Sequence, residues 1–225
     1  MIIDKFAIPD PMGWLSRLNE TTRLKLISAC DEIQFRAGEA IYHTDDPTGG
    51  LFTTLSGRLD VHWHRLTPGH TLVHAVGPAW WIGDLSLVTG APRRVELIAG
   101  ADSLILRLTR SQLFRIAEDT PEIHFALLSM MASTLRAATD IIESRSMDDP
   151  VKRIAACLLR LNNTGPTWNG DLPFTQVELA SIASMSRGAV ITSLKTLQSK
   201  KLVENKYGKI SILNKKGLDD FLDFS

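Results

Sequence analysis

The spacing of apolar residues divides the chain into stretches of different period. In residues 1–30, Trp14, Leu15, Leu18, Leu24, Leu26 and Ile27 recur at mixed three-to-four spacing, which predicts a short helical segment. From Ile33 to Leu108 the period becomes two. Apolar runs at residues 40–42, 51–52, 59–63, 72–76 and 103–106 are separated by turn clusters such as Arg36-Ala37-Gly38, Asp45-Asp46-Pro47, Ser56-Gly57, Pro68-Gly69 and Gly77-Pro78. Short, regularly punctuated strands with one apolar face predict a β-sandwich or barrel of jelly-roll form, with no segment of helical length between them.

Helical spacing returns at Thr109, which can cap a helix reaching Glu118. After Thr120-Pro121, no Gly or Pro occurs as far as about residue 146. This long helix carries two apolar stripes. One is Leu128, Met131, Leu135, Ala138 and Ile142; the other is Leu127, Met130, Ala137 and Ile141. A helix apolar on two sides has to be covered on two sides. The β-domain covers one, and the first stripe suits the same helix of a second copy, so a twofold homodimer is expected. Burial within a single core is the alternative. Asp148-Asp149-Pro150 then reads as a hinge, which divides the chain into residues 1–118, 119–148 and 149–225.

In the last third, Thr175 followed three residues on by Glu178 forms a capping box, so a helix starts there and ends near Ala183. A tight turn at Ser184-Met185-Ser186 leads to a second helix held to the first by Val190, Leu194 and Leu197. Its opening residues project outward, as in the recognition helix of a helix-turn-helix. Beyond it, two short strands around Tyr207-Gly208 form a wing that carries Lys206 and Lys209. Residues 186–216 hold eight positive side chains against Glu204 alone, a local net charge of +7. Lysines of this kind supply phosphate contacts, while the helix start reads base edges. Thr175, Ser186, Arg187, Ala189, Thr192 and Ser193 are therefore candidates for the DNA face, with Lys195, Lys200, Lys206 and Lys209 toward phosphates. Arg187 suits a phosphate or a guanine equally. The bland alternative for the whole cluster is a solvated surface.

Composition narrows the class. Across 225 residues, 44% are hydrophobic and 22% charged, with mean hydropathy +0.01, which suits a globular chain with a real core and excludes disorder. The formal charge is zero, so only the charge distribution points to nucleic acid. No uninterrupted apolar run approaches the ~20 residues a bilayer needs, and Asp4 and two prolines stand where a leader needs apolar residues. A cytoplasmic location and no membrane partner are expected. Cys30 and Cys157 lie too far apart for a CxxC motif and read as buried apolar residues. His62 and His64 share a strand face with His70 and His74 nearby, yet a solvated face explains them better than metal or haem, so no cofactor and no metal site are expected. Motifs for nucleophilic catalysis or a P-loop are lacking, so no enzyme activity is expected.

The order of parts resembles the CRP/FNR family of bacterial transcription regulators. The resemblance rests on Arg36-Ala37-Gly38-Glu39-Ala40-Ile41, Leu55-Ser56-Gly57-Arg58-Leu59-Asp60-Val61, Trp81-Ile82-Gly83-Asp84-Leu85 running to Pro92-Arg93, and Phe174-Thr175-Gln176-Val177-Glu178-Leu179-Ala180 with Met185-Ser186-Arg187. It implies an α+β chain: an N-terminal jelly roll, a long dimerisation helix and a C-terminal winged helix-turn-helix. It also implies double-stranded DNA and RNA polymerase as partners. By the same resemblance, an effector would meet Trp81, Gly83, Asp84, Arg93, Arg94 and, from the long helix, Thr139.

Departures from the family pattern qualify that picture. Members that bind cyclic nucleotides carry Ser or Thr after the phosphate-binding arginine, where this chain has Arg94. The Thr-Ser pair of the long helix is Ala138-Thr139 here. The expected effector is therefore a small molecule other than cyclic AMP, or the pocket has lost its ligand and Asp84 pairs with Arg93. The recognition helix reads Arg187-Gly188-Ala189-Val190-Ile191-Thr192, so the usual family half-site does not carry over. Alternatives are a cyclic-nucleotide-responsive regulator, or a ligand-binding module whose helix-turn-helix serves protein contacts.

Overall fold

The computed structural model describes residues 2, 4–63, 71–206 and 208–223. His64, His70, the Pro68-Gly69 turn and Tyr207 lie outside the described residues. Helix α1 (Glu20–Ala29), capped by Asn19, precedes strands β1 (Asp31–Phe35), β2 (Ala40–Tyr42), β3 (Leu51–Ser56), β4 (Leu59–Trp63) and β5 (Thr71–Val76). A short helix, α2 (Asp84–Thr89), interrupts the strands before β6 (Glu96–Ala99) and β7 (Ser103–Leu108). At six residues α2 is too short to display a 3.6-residue period, which is why the alternation of the sequence predicts no helix there.

The strands form two antiparallel sheets, ordered β1-β7-β3 and β2-β6-β4-β5. Phe52 and Ile105 from one sheet and Leu59, Leu97 and Val76 from the other meet in one buried cluster, so the sheets pack face to face. Cys30 and Cys157 are both buried free thiols.

Thr109 and Gln112 form a reciprocal capping box that starts α3 (Arg110–Glu118). Helix α4 (Glu122–Ser146) follows, and its two stripes part company. Ile123, Ala126, Leu127 and Met130 are buried with the sheet domain. Leu128, Leu135 and Ile142 stay 60%, 65% and 66% exposed, joined by Phe125 at 72%, so α4 is not sunk in one core. Met131 is half-buried and Ala138 exposed. By length and composition α4 could cross a bilayer, but its apolar residues divide between a core face and a heptad-spaced outer face, which a spanning helix does not require.

Asp149, accepting from the backbone N–H groups of Val151 and Lys152, starts α5 (Pro150–Thr164) after a three-residue break. Strand β8 (Asp171–Leu172), helices α6 (Gln176–Ala183) and α7 (Arg187–Ser199), strands β9 (Val203–Lys206) and β10 (Lys209–Ile212) and helix α8 (Lys215–Asp223) complete the chain. The second core collects Leu158, Phe174, Leu179, Ile182, Val190, Leu194, Leu197 and Ile210. It also takes Leu72 and Ala75 from β5, so one strand of the first domain helps to close the core of the second.

Candidate effector pocket and nucleic-acid interface

A cavity of about 270 Å³ lies between the β4–β5 side of the sandwich and the inner face of α4. The walls come from apolar side chains of β4, β5 and α4, with Trp80 and Ile82 before α2. Trp81, Gly83, Asp84, Arg93 and Arg94 all border it. Trp81 is almost fully buried, edge-on to Trp14 at 5.4 Å, so most of its ring serves the core. Arg94 is exposed at the rim.

Thr139 is a correction. It is exposed on α4, and its hydroxyl donates to the Arg136 carbonyl at 2.7 Å. Thr134, five residues earlier and so on another face of the helix, lines the cavity instead. The motif analogy fixed the helix but not its rotation, and only the packing of α4 settles that.

Arg93, 2% exposed, donates from Nη2 to the Gly50 carbonyl at 2.8 Å and from Nη1 to the Gly83 carbonyl at 3.2 Å. Its guanidinium stacks 4.3 Å from the Tyr42 ring centroid and 5.5 Å from that of Phe52. Gly83 permits this approach: its φ is +109°, and a Cβ there would sit 2.8 Å from Nη1. Burial pulls the Arg93 pKa down, against the influence of Tyr42, Asp46 and Asp84. Burial also pushes the Asp84 carboxyl up, opposed by the Thr134 hydroxyl, by N–H groups at the start of α2 and by Arg93. Among the described residues, the terminal nitrogens of Arg93 go to carbonyls rather than to Asp84.

His74 belongs to the cavity wall and to the domain junction at once. Its Nδ1 accepts from Arg160 Nη1 on α5 at 2.7 Å, which leaves the ring proton on Nε2. Burial, then Arg160 on α5 and Arg145 on α4, hold the imidazole well below the usual 6.5; Asp84 and Arg93 line the same cavity. Around it, Thr164 donates to the Ala75 carbonyl at 3.1 Å, Ser181 donates to the Leu72 carbonyl at 2.9 Å, and Gly77 N donates to the Thr164 carbonyl at 2.8 Å. Strand β5 is thus a shared wall. Val73 and Val76 face the cavity while Leu72 and Ala75 face α5 and α6, a phasing allowed by the bulge opposite Val61 and His62.

A pH dependence follows from His74. As pH falls through about 6.5, the unfolded chain gains a proton that the folded chain refuses, so stability drops by up to about 1.4 kcal/mol per pH unit until the low native pKa is reached. Urea titrations between about pH 7.5 and about pH 5.5 should show this loss, and His74→Gln should remove that share of the slope. An unchanged slope in the variant would contradict the assignment.

At the other end, Thr175 Oγ1 accepts from Glu178 N at 3.2 Å and Glu178 Oε2 accepts from Thr175 N at 2.7 Å, the reciprocal cap that starts α6. Ser184, in the left-handed conformation, ends α6, and the Ser186 hydroxyl caps α7 by accepting from Ala189 N at 3.2 Å. Ser186, Arg187, Thr192, Lys195 and Lys200 are exposed and Ala189 half-buried. Ser193 is the second correction. It is 1% exposed on the face shared with Val190, Leu194 and Leu197, and no base can reach it. Lys206 pairs with Glu204 and Lys209 with Asp171, both at 2.7 Å and on the surface, where such pairs exchange readily.

One functional contact escaped the sequence. Arg58, 5% exposed, is ion-paired with Asp60 through Nε at 2.8 Å, and its terminal nitrogens reach the Glu178 carboxylate and the Pro173 carbonyl across the domain boundary. Its guanidinium also lies 4.6 Å from the Phe174 ring centroid. Arg58 and Glu178 are 120 positions apart, and no local pattern pairs them.

A sandwich with a cavity, a long helix and a winged helix-turn-helix define a DNA-binding transcription regulator with a cyclic-nucleotide-binding-like domain. A model of the cyclic nucleotide-binding domain matches residues 32–120, and a model of the Crp-like helix-turn-helix domain matches residues 152–221. The cyclic AMP receptor protein of Thermus thermophilus is 25% identical over 177 residues, covering 78% of this chain and 80% of that protein. A CRP-like cAMP-activated global transcriptional regulator of Mycobacterium tuberculosis is 25% identical over 167 residues, 72% of this chain and 75% of the relative. FixK2 from Bradyrhizobium japonicum shares the fold, with TM-score 0.73 and 19% identity over 85% of this chain and 96% of its own. The chain belongs to the CRP/FNR family of transcription regulators and is not an enzyme. A match to lysophospholipase NTE1 of Chaetomium globosum, 28% identical over 112 residues, spans half of this chain but 7% of that protein, and is only a partial match to the cyclic nucleotide-binding domain.

Proposed function

We propose that the protein works as a homodimer paired along the outer face of α4, sets two α7 helices into adjacent major grooves, and is switched by a small molecule in the cavity. The observation that carries the DNA reading is the division of α7. Val190, Leu194 and Leu197 are buried, while Arg187, Thr192 and Lys195 stand clear of the globule. Arg187, Ala189 and Thr192 are then placed toward base edges. Thr175, Ser186, Lys195 and Lys200, with Lys206 and Lys209 on the wing, lie toward phosphates. The exposed stripe of Leu128, Leu135 and Ile142 supports pairing with a second copy. Residues 1–118 form the sensing part, 119–148 the pairing helix and 149–225 the reading head. Such a dimer acts in the cytoplasm by altering the access of RNA polymerase to a promoter.

The shared wall supports the switch. A ligand that displaces Val73, Val76 or His74 strains the same strand that holds α5 and α6, so occupancy biases the angle of the reading heads. Mobility-shift titration of promoter DNA across a salt series tests the reading. Affinity should fall steeply with salt, and Lys195→Ala or Lys200→Ala should each reduce the logarithmic slope by about 1. Affinity indifferent to salt would end the DNA reading.

A further inference from the structure

The cavity combines three features. It is walled mainly by apolar side chains, with Val61, Val73, Ile82, Ala137 and Ile141 among them. The arginine at its edge already bonds to two carbonyls and lies against two rings, and an anion would have to break those contacts. Two polar groups at the wall are buried and, among the described residues, without a hydrogen-bond partner: His74 Nε2 and the Trp81 indole N–H.

Charge decides the ligand class. Arg93 and Asp84 offset one another, and His74 is held neutral between burial and the two arginines. A ligand anion therefore meets no uncompensated charge inside, only Arg94 at the rim. The orphan N–H of His74 calls for an acceptor, because a buried donor left unpaired is costly. Resting on the reading of this cavity as the effector site, we propose that it takes an uncharged, mainly apolar molecule with one hydrogen-bond-accepting oxygen, in place of a cyclic nucleotide.

The test is isothermal titration of the full-length protein with four probes. These are 2-acetylnaphthalene, which is neutral with an accepting oxygen; 2-ethylnaphthalene, which lacks the oxygen; 2-naphthoate, which is charged; and cyclic AMP. The ketone should bind about tenfold more tightly than the hydrocarbon, the worth of one hydrogen bond. Neither 2-naphthoate nor cyclic AMP should match the ketone. Ala137→Trp, which fills the cavity, should abolish binding of the ketone. His74→Phe should erase the preference of ketone over hydrocarbon, and His74→Gln, which keeps a side-chain N–H donor, should retain part of it; equal binding of ketone and hydrocarbon by His74→Gln would count against the contact if His74→Phe fails to fold. Tighter binding of cyclic AMP or 2-naphthoate, or no binding of any probe, overturns the proposal. Operator affinity is measured on the same samples. Ketone binding that leaves it unchanged would count against the effector reading of the cavity while the ligand preference stands.

Discussion

Replacing Leu135 with Glu is expected to leave the chain folded but monomeric, and to weaken operator binding by about 10²-fold or more. Leu135 is 65% exposed in the single chain, so its loss costs the protomer little. In a twofold pair the same position meets its own copy near the axis, and two carboxylates would be desolvated against each other. Dimerisation converts the second head's binding into an intramolecular event, which contributes roughly 10² to 10⁴ in apparent affinity. Light scattering reports the mass and mobility shift the affinity, with Leu135→Ala as the milder comparison. A Leu135→Glu dimer with unaltered operator binding would place the pairing surface elsewhere.

Arg58→Ala should be the most disruptive single change at the domain junction. Arg58 and Asp60 are both 5% exposed, so removing the guanidinium strands a buried carboxylate and frees Glu178. Losing one partner of a buried pair costs about 3–5 kcal/mol. Burial pushes the Asp60 pKa up even with Arg58 beside it, so the carboxylate has little other support. Because Glu178 also caps α6, the loss is felt at the first helix of the helix-turn-helix. Scanning calorimetry should show the β-sandwich and DNA-binding domains melting as separate transitions in the variant. Replacing Arg58 and Asp60 together by apolar residues, with Glu178 kept as the α6 cap, should recover much of the loss, since a matched apolar contact is often as stable as a buried ion pair. A variant that melts like the parent would show that the contact contributes nothing to docking.

These expectations draw on different amounts of sequence information. The β-domain, the long helix and the paired helices of the reading head were legible, because period-two and period-3.6 burial and capping boxes at Thr109 and Thr175 act within a few residues. Placing Arg93, Asp84 and Gly83 at one cavity was legible as well, through the resemblance. The rotation of α4, which brings Thr134 rather than Thr139 to the cavity, was not, because both are hydroxyl residues and only packing against α2 and α5 chooses between them. Nor was the burial of Ser193, a polar residue on the inner face of α7. The pairing of Arg58 with Glu178, the bond from His74 to Arg160 and the capture of Arg93 by two carbonyls join residues with no sequence signal in common. Local periodicity and capping set the elements. Which faces meet across the domain boundary, and so which polar groups are spent or left free, is a property of the assembled chain.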